Sequence, residues 1–66
     1  MEIQVVDNHI VRVDYWEDLK KDPKYGTFGA ELTYDYLKKA QDLVVAKYGN
    51  DVEVLQALPV LIVRIP

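Results

Sequence analysis

Apolar and polar positions near the start of the chain follow the pattern of two paired strands. Residues 2–6 and 9–15 are rich in β-branched apolar residues, which alternate imperfectly with polar ones. The dipeptide Asp7-Asn8 lies between the two segments, and both residue types tolerate the backbone angles of a tight two-residue turn. This pattern predicts an N-terminal β-hairpin.

From about Gly29 to Tyr48 the period changes to that of a helix. Charged side chains occupy one side, where Asp35 and Lys39 have the i,i+4 spacing of a stabilising pair. Gly49 followed by Asn50 is a typical helix stop. The chain therefore predicts one amphipathic helix. Its apolar stripe is predicted at steps of three and four residues, at Ala30, Tyr34, Leu37, Ala40, Val44 and Tyr48.

The C-terminal part has strand composition over residues 52–55 and 60–65. Pro59 lies between them and cannot donate to a strand ladder, so the two runs are either separate strands or one bent strand. The second run does not alternate, which indicates apolar side chains on both faces of the strand. We identify no internal repeat. The order ββαβ(β) predicts one α+β domain over residues 1–66, with the helix on one face of a small, mostly antiparallel sheet.

The segment 16–28 is polar and charged, and Pro23 and Gly26 predict a loop with one helical turn at 16–20. A loop of this length in a small domain usually binds something or packs as a lid. Trp and Tyr dominate the energetics of interfaces, so a binding surface is one interpretation and a lid over a small core is the other. The residues concerned are Tyr15, Trp16, Tyr25 and Phe28.

Composition excludes several classes of protein. The chain has 66 residues, half of them hydrophobic, a net charge of −3 and no cysteine. Disulfide scaffolds, thiol redox centres and cysteine-ligated metals are thereby excluded. The acidic excess argues against nucleic acid as a partner, and no apolar run approaches the roughly 20 residues of a membrane span. The N-terminal residues lack the pattern of a signal peptide, so we expect a cytoplasmic protein without a membrane partner.

Candidate chemistry is sparse. His9 is the one histidine and the chain has no serine, so we expect no catalytic residue, no metal and no cofactor. The carboxylates near the loop alternate with lysines and are typical of a solvated face. Backbone N–H groups before a helix attract anions, which makes Gly26, Thr27 and Gly29 candidates for anion binding, although the lysine of a phosphate-binding loop is missing. A simple turn is the alternative.

The C-terminal run predicts self-association. One helix covers one face of the sheet, and leaving a Leu, Ile or Val exposed forgoes roughly 1.5–3 kcal/mol each. We therefore expect a symmetric dimer formed by sheet packing or by edge-strand pairing. The alternative is that segment 16–28 covers the second face. The residues predicted to associate are Val60, Leu61, Ile62, Val63 and Ile65.

These features together favour a small soluble protein-interaction module that self-associates through its sheet and performs no catalysis. Three other interpretations stay open. The chain could be an acidic inhibitor or regulator of a larger protein, of the antitoxin or phage anti-defence type, that competes for a basic surface. It could form a ligand-binding or enzymatic site at a dimer interface. It could also be a designed protein without a biological function.

Overall fold

The computed structural model describes all residues from Met1 to Pro66. Its elements are β1 (Ile3–Asp7), β2 (Ile10–Val13), α1 (Trp16–Lys20), α2 (Gly29–Tyr48), β3 (Glu53–Gln56) and β4 (Leu61–Arg64). The strands form one antiparallel sheet in the order β1-β2-β4-β3. The predicted α+β fold, with one main helix on a small antiparallel sheet, is confirmed. The C-terminal segment consists of two separate strands.

The core lies between the two central strands and the second half of α2. Alternate residues of β2 and β4 point toward the helix, because successive side chains of a strand point to opposite faces. Each buried Val or Leu there stabilises the fold by roughly 1.5–3 kcal/mol. The cluster consists of Val11, Val13, Tyr15, Ala40, Val44, Leu61 and Val63, all essentially inaccessible to solvent.

The buried and half-buried residues of α2 include a row at steps of four, with the half-buried Leu37 beside it. The row is formed by Leu32, Tyr36, Ala40, Val44 and Tyr48. A step of four residues overshoots one helical turn, so the row rotates by about 40° per step around the helix. The first half consequently packs on α1 and the second half on the sheet. The predicted stripe is wrong at Ala30 and Tyr34, which are exposed, because it assumed one partner along the whole helix.

The molecule is elongated, with extents of 38 × 19 × 17 Å, because α2 is longer than the sheet. A helix of this length spans about 30 Å, whereas the strands span about 13–17 Å. The first half of α2 projects beyond the sheet and contacts α1, and each of these helices buries one leucine, Leu19 and Leu32. The predicted helical turn at 16–20 is confirmed as α1. One interpretation expected segment 16–28 to cover the second face of the sheet, and the structure does not have it there.

The N-terminal hairpin is confirmed, but its turn is displaced by one residue. Asp7 pairs with Ile10, so the turn consists of Asn8 and His9, and Val6 forms a bulge in β1. No residue other than glycine has a positive φ. The expectation that Asp7-Asn8 forms the turn is therefore wrong, because the bulge shifts the register of the strand.

The C-terminal hairpin repeats the N-terminal one. The N-terminal hairpin pairs Gln4 with Arg12, Val5 with Val11 and Asp7 with Ile10, with Val6 as the bulge. The C-terminal hairpin pairs Glu53 with Arg64, Val54 with Val63 and Gln56 with Ile62, with Leu55 as the bulge. The expectation that the chain contains no internal repeat is therefore wrong. The two turns differ in length, so the two copies of the pattern do not align in the sequence without a gap.

A local two-fold axis relates the two hairpins. The ladder between β2 and β4 pairs Val11 with Val63, and an axis through that pair carries each hairpin onto the other. The tripeptide Ile-Val-Arg occurs at both equivalent sites, at residues 10–12 and 62–64. The sheet is therefore a pseudo-symmetric pair of bulged hairpins, and α2 covers one face of it.

The face of the sheet away from α2, which we call the open face, is largely polar. Its apolar members are Ile10 and Ile62, each half-buried and each opposite an arginine across the β2–β4 ladder. Arg12 Nη1 donates to Gln4 Oε1 at 2.7 Å, and Arg64 Nη1 lies 3.4 Å from Glu53 Oε2. β4 has apolar residues on both faces, as expected, but within the strand Ile62 alone lies on the open face, because Leu61 and Val63 point into the core.

Candidate functional site

Tyr15 is a core residue and offers no binding surface. Its side chain is fully buried, and its hydroxyl donates to the carbonyl oxygen of Ala57 at 2.6 Å. Burial raises the pKa of the Tyr15 hydroxyl, because the charged form is poorly solvated there. The group therefore remains a hydrogen-bond donor at neutral pH, and the prediction that Tyr15 contributes to a binding surface is wrong.

Trp16 and Tyr25 continue outward from Tyr15. The Trp16 ring lies 6.4 Å from each of the other two rings, in edge-to-face geometry on both sides. Trp16 packs against the core, and Tyr25 is half-buried above it. Edge-to-face pairs are stabilising contacts between aromatic rings. This arrangement favours the interpretation of these residues as a lid over the end of the core.

Phe28 is separate from the three rings of Tyr15, Trp16 and Tyr25. It lies in an open depression of about 260 Å³ at the start of α2. The depression is lined by Lys24, Phe28, Glu31, Leu32 and Asp35. Two carboxylates against one ammonium group give it a negative charge, which disfavours an anion. The predicted anion-binding residues Gly26 and Thr27 are exposed and Gly29 is half-buried. The electrostatics of the helix start therefore do not support that hypothesis.

Asp22 and Tyr36 connect the loop to α2. Asp22 accepts hydrogen bonds from the Lys24 backbone N–H at 2.9 Å and from the Tyr36 hydroxyl at 2.8 Å. These two donors, the backbone one first, lower the pKa of Asp22, and the bond to the carboxylate raises the pKa of Tyr36. The Lys39 ammonium lies 4.7 Å from the centre of the Tyr36 ring. The two side chains satisfy each other, so they hold the loop in place.

Titratable side chains do not converge elsewhere. No group of three or more His, Cys, Asp or Glu residues is arranged to hold a metal ion. His9 lies in the exposed turn of the N-terminal hairpin. None of the helices combines the length and the apolar character needed to cross a membrane.

The two edges of the sheet carry exposed apolar side chains. Val5 and Val6 on β1 are 69% and 60% exposed, and Val54 and Leu55 on β3 are 45% and 43% exposed. Val5 and Val54 pair with core residues and so lie on the α2 side of the sheet, beyond the cover of the helix. Sequence reasoning did not find this set; the repeated hairpin pattern was the signal that could have found it.

The residues predicted to self-associate are placed differently from the expectation. β4 lies between β2 and β3, so edge pairing through residues 60–65 is wrong. Leu61 and Val63 are in the core and Ile65 packs against it. Val60 and Ile62 are half-buried, and sheet packing through them stays a prediction. Any strand addition must instead use β1 or β3.

β3 carries little of the protection that edge strands usually have. It contains no lysine, arginine or proline, and its one charged group, Glu53, already lies beside Arg64. Leu58, in the turn that follows, is 55% exposed and enlarges the apolar area. Natural edge strands are commonly protected by charges, prolines and bulges, and of these β3 has mainly the bulge at Leu55.

Comparison of the chain with protein-family models, with curated proteins and with solved structures gave no significant match.

Proposed function

We propose that this protein is an interaction module without catalytic activity, and that it self-associates by pairing β3 with β3 of a second copy. One observation carries the proposal: β3 is an edge strand with exposed Val54 and Leu55, and Leu58 lies in the turn beside it. An unprotected apolar edge is a template for another strand. Two copies related by a two-fold axis would join their sheets into one.

The pattern of β3 is compatible with antiparallel self-pairing. A two-fold axis between Val54 and Leu55 places Glu53 of each copy opposite Gln56 of the other. Both residues pair with open-face residues of β4, so this register keeps them on the same face. An amide opposite a carboxylate forms a hydrogen bond, and no like charges meet. Val54 and Leu55 then lie at the centre of the contact, where they are shielded from water.

The contact is small, which sets the expected affinity. A strand of four residues spans about 13 Å, and the bulge interrupts its ladder. The area falls below the roughly 800 Å² per partner of a standard stable interface. We therefore expect a dimer with a dissociation constant in the micromolar range or weaker, which exchanges quickly with the monomer.

The test combines sedimentation with amide chemical shifts over a concentration series from about 10 µM to about 1 mM, chosen for an interface of this size. We expect the mass to rise and the β3 amides to shift with concentration. The double variant Val54→Lys with Leu55→Lys should abolish the β3 shifts. The matched control Ala30→Lys with Tyr34→Lys adds the same charge on exposed positions of α2 and should leave them unchanged.

Two results would overturn the proposal. A monomer at every concentration means that the edge does not pair. Concentration-dependent shifts confined to Ile10, Ile62 and their neighbours mean that the copies pack through the open face. Circular dichroism of each variant establishes that it retains the fold, so that loss of association is not confused with unfolding.

A further inference from the structure

The local two-fold axis makes β1 the structural counterpart of β3. Val5 is equivalent to Val54, and the bulged Val6 is equivalent to the bulged Leu55. All four side chains are exposed, and β1, like β3, contains no lysine, arginine or proline. The sheet therefore has two edges built on the same plan.

The polar residues of the two edges occur in reversed order. On β1 the amide Gln4 precedes the bulge and the carboxylate Asp7 follows it, whereas on β3 the carboxylate Glu53 precedes and the amide Gln56 follows. The equivalent open-face arginines hold the first member of each pair, Gln4 at 2.7 Å and Glu53 at 3.4 Å. The two edges therefore present their polar residues at equivalent positions of the sheet.

This reversal distinguishes like edges from unlike edges. In the register that aligns the two bulges, β1 against β1 places Gln4 opposite Asp7, and β3 against β3 places Glu53 opposite Gln56. Both contacts join an amide to a carboxylate. β1 against β3 places Asp7 opposite Glu53, and like charges directly opposite each other in neighbouring strands are destabilising.

We propose that β1 is a second self-recognition edge, which pairs with β1 of another copy and rejects β3. This inference rests on the proposed function, since it takes β3 pairing as the first contact. A dimer joined through β3 still has two free β1 edges, so further copies add there. Assembly then continues beyond the dimer by alternating β3–β3 and β1–β1 contacts, and the occupant of both edges is this same chain.

The experiment uses two full-length variants, each with one blocked edge. Val5→Lys with Val6→Lys leaves only β3 available, and Val54→Lys with Leu55→Lys leaves only β1 available. In sedimentation we expect the wild type to exceed the dimer mass at high concentration and each variant to stop at the dimer. When a fluorescently labelled variant is mixed with the other, mixed dimers should be about tenfold weaker than either homodimer.

A charge-conserving variant tests the pattern itself. Gln4→Glu with Asp7→Gln, introduced into the variant that has only β1 available, gives β1 the same polar order as β3 without changing the net charge. Arg12 retains an acceptor at residue 4. We expect mixed dimers with the β3-only variant to become as strong as the homodimers. The amide shifts of β1 report that the contact uses this edge.

The failure of this inference differs from the failure of the proposed function. If the β3-only variant grows beyond the dimer, or mixed dimers already match homodimers before the exchange, β1 is not a self-recognition edge while the β3 contact stands. If the β3-only variant stays monomeric, the proposed function itself fails, and the inference with it. Circular dichroism and a thermal melt of each variant confirm that the sheet is intact.

Discussion

The hydroxyl of Tyr15 and the carbonyl oxygen of Ala57 lie 2.6 Å apart, and this hydrogen bond is the one side-chain bond that joins the two hairpins. The other polar side-chain contacts of the sheet remain within one hairpin or its flanking residues, as for Arg12 and Arg64. Tyr15 follows β2, and Ala57 follows β3. The bond therefore connects the end of one repeat to the turn of the other.

Replacing Tyr15 with Phe should test the strength of this connection. The ring stays in the core, and only the hydrogen bond is lost. We expect a loss of about 1 kcal/mol in the free energy of unfolding, measured by urea denaturation. Tyr34→Phe removes a hydroxyl from an exposed ring and serves as the control, with no measurable change expected. Equal stability of the two variants would show that the bond contributes nothing.

The four-residue row of α2 predicts which residues of its first half matter. Leu32 is nearly buried, whereas Tyr34, two positions on, is exposed. We expect Leu32→Ala to cost about 2 kcal/mol, because it removes buried methyl groups and leaves a cavity. Tyr34→Ala should change the stability by less than about 0.5 kcal/mol. Thermal or denaturant unfolding measures both, and the reverse order would contradict the assigned row.

Acid should weaken the link between the loop and α2. The pKa of Asp22 is lowered in the folded protein, first by the Lys24 backbone N–H and then by the Tyr36 hydroxyl. The stability from this group is therefore present above the unfolded pKa of about 4, and it is lost as the pH falls through the folded value. Tyr36→Phe removes one donor, so we expect its thermal midpoint to fall less on acidification than that of the wild type.

Midpoints recorded from about pH 2 to about pH 7 provide this comparison. Tyr34→Phe is again the matched control, since the exposed Tyr34 hydroxyl makes no hydrogen bond to a protein group, unlike that of Tyr36. It should follow the wild type at every pH. If Tyr36→Phe and the wild type lose stability equally on acidification, the hydrogen bond from Tyr36 to Asp22 does not contribute to the acid dependence.

The repeat predicts that one hairpin can take on the residues of the other. Five substitutions make the C-terminal hairpin identical to the N-terminal one at the equivalent positions: Val52→Ile, Glu53→Gln, Leu55→Val, Gln56→Asp and Ile65→Val. The arginine of each hairpin keeps an acceptor. The fold should survive with a loss of about 2 kcal/mol or less, mainly from the shortened Leu55 and Ile65. Loss of the folded circular dichroism spectrum would refute the equivalence.

The helix α2 shows how far periodicity can be used. Its C-terminal end was predictable, since Gly49 ends it with a φ of +89°, a conformation that favours glycine. Its buried direction was predictable only for the second half, where the sheet is the partner. The direction of Leu32 depends on its packing against α1. The sequence predicts that short helix, but no pattern in it reveals where the helix packs.

The strands show a similar division. The alternation around Asp7-Asn8 predicts a hairpin, but the bulge at Val6 has no local signature and shifts the turn. The apolar run 60–65 suggested two apolar faces, yet its outer residues Val60 and Ile65 lie outside β4. The edge strands can be identified only when the strand order is known. The sequence pattern indicates pairing between strands that are neighbours in the chain more readily than pairing between β2 and β4.

The ladder between β2 and β4 has one more consequence, which concerns the order of folding. Each hairpin closes over a short turn, whereas this ladder joins residues separated by nearly the whole chain. Closing a long loop costs entropy before its contacts form, and a lone two-stranded hairpin is marginally stable in water. We therefore expect the domain to reach stability only when α2 has brought the two hairpins together, and we expect deletion of either hairpin to leave a chain that does not fold.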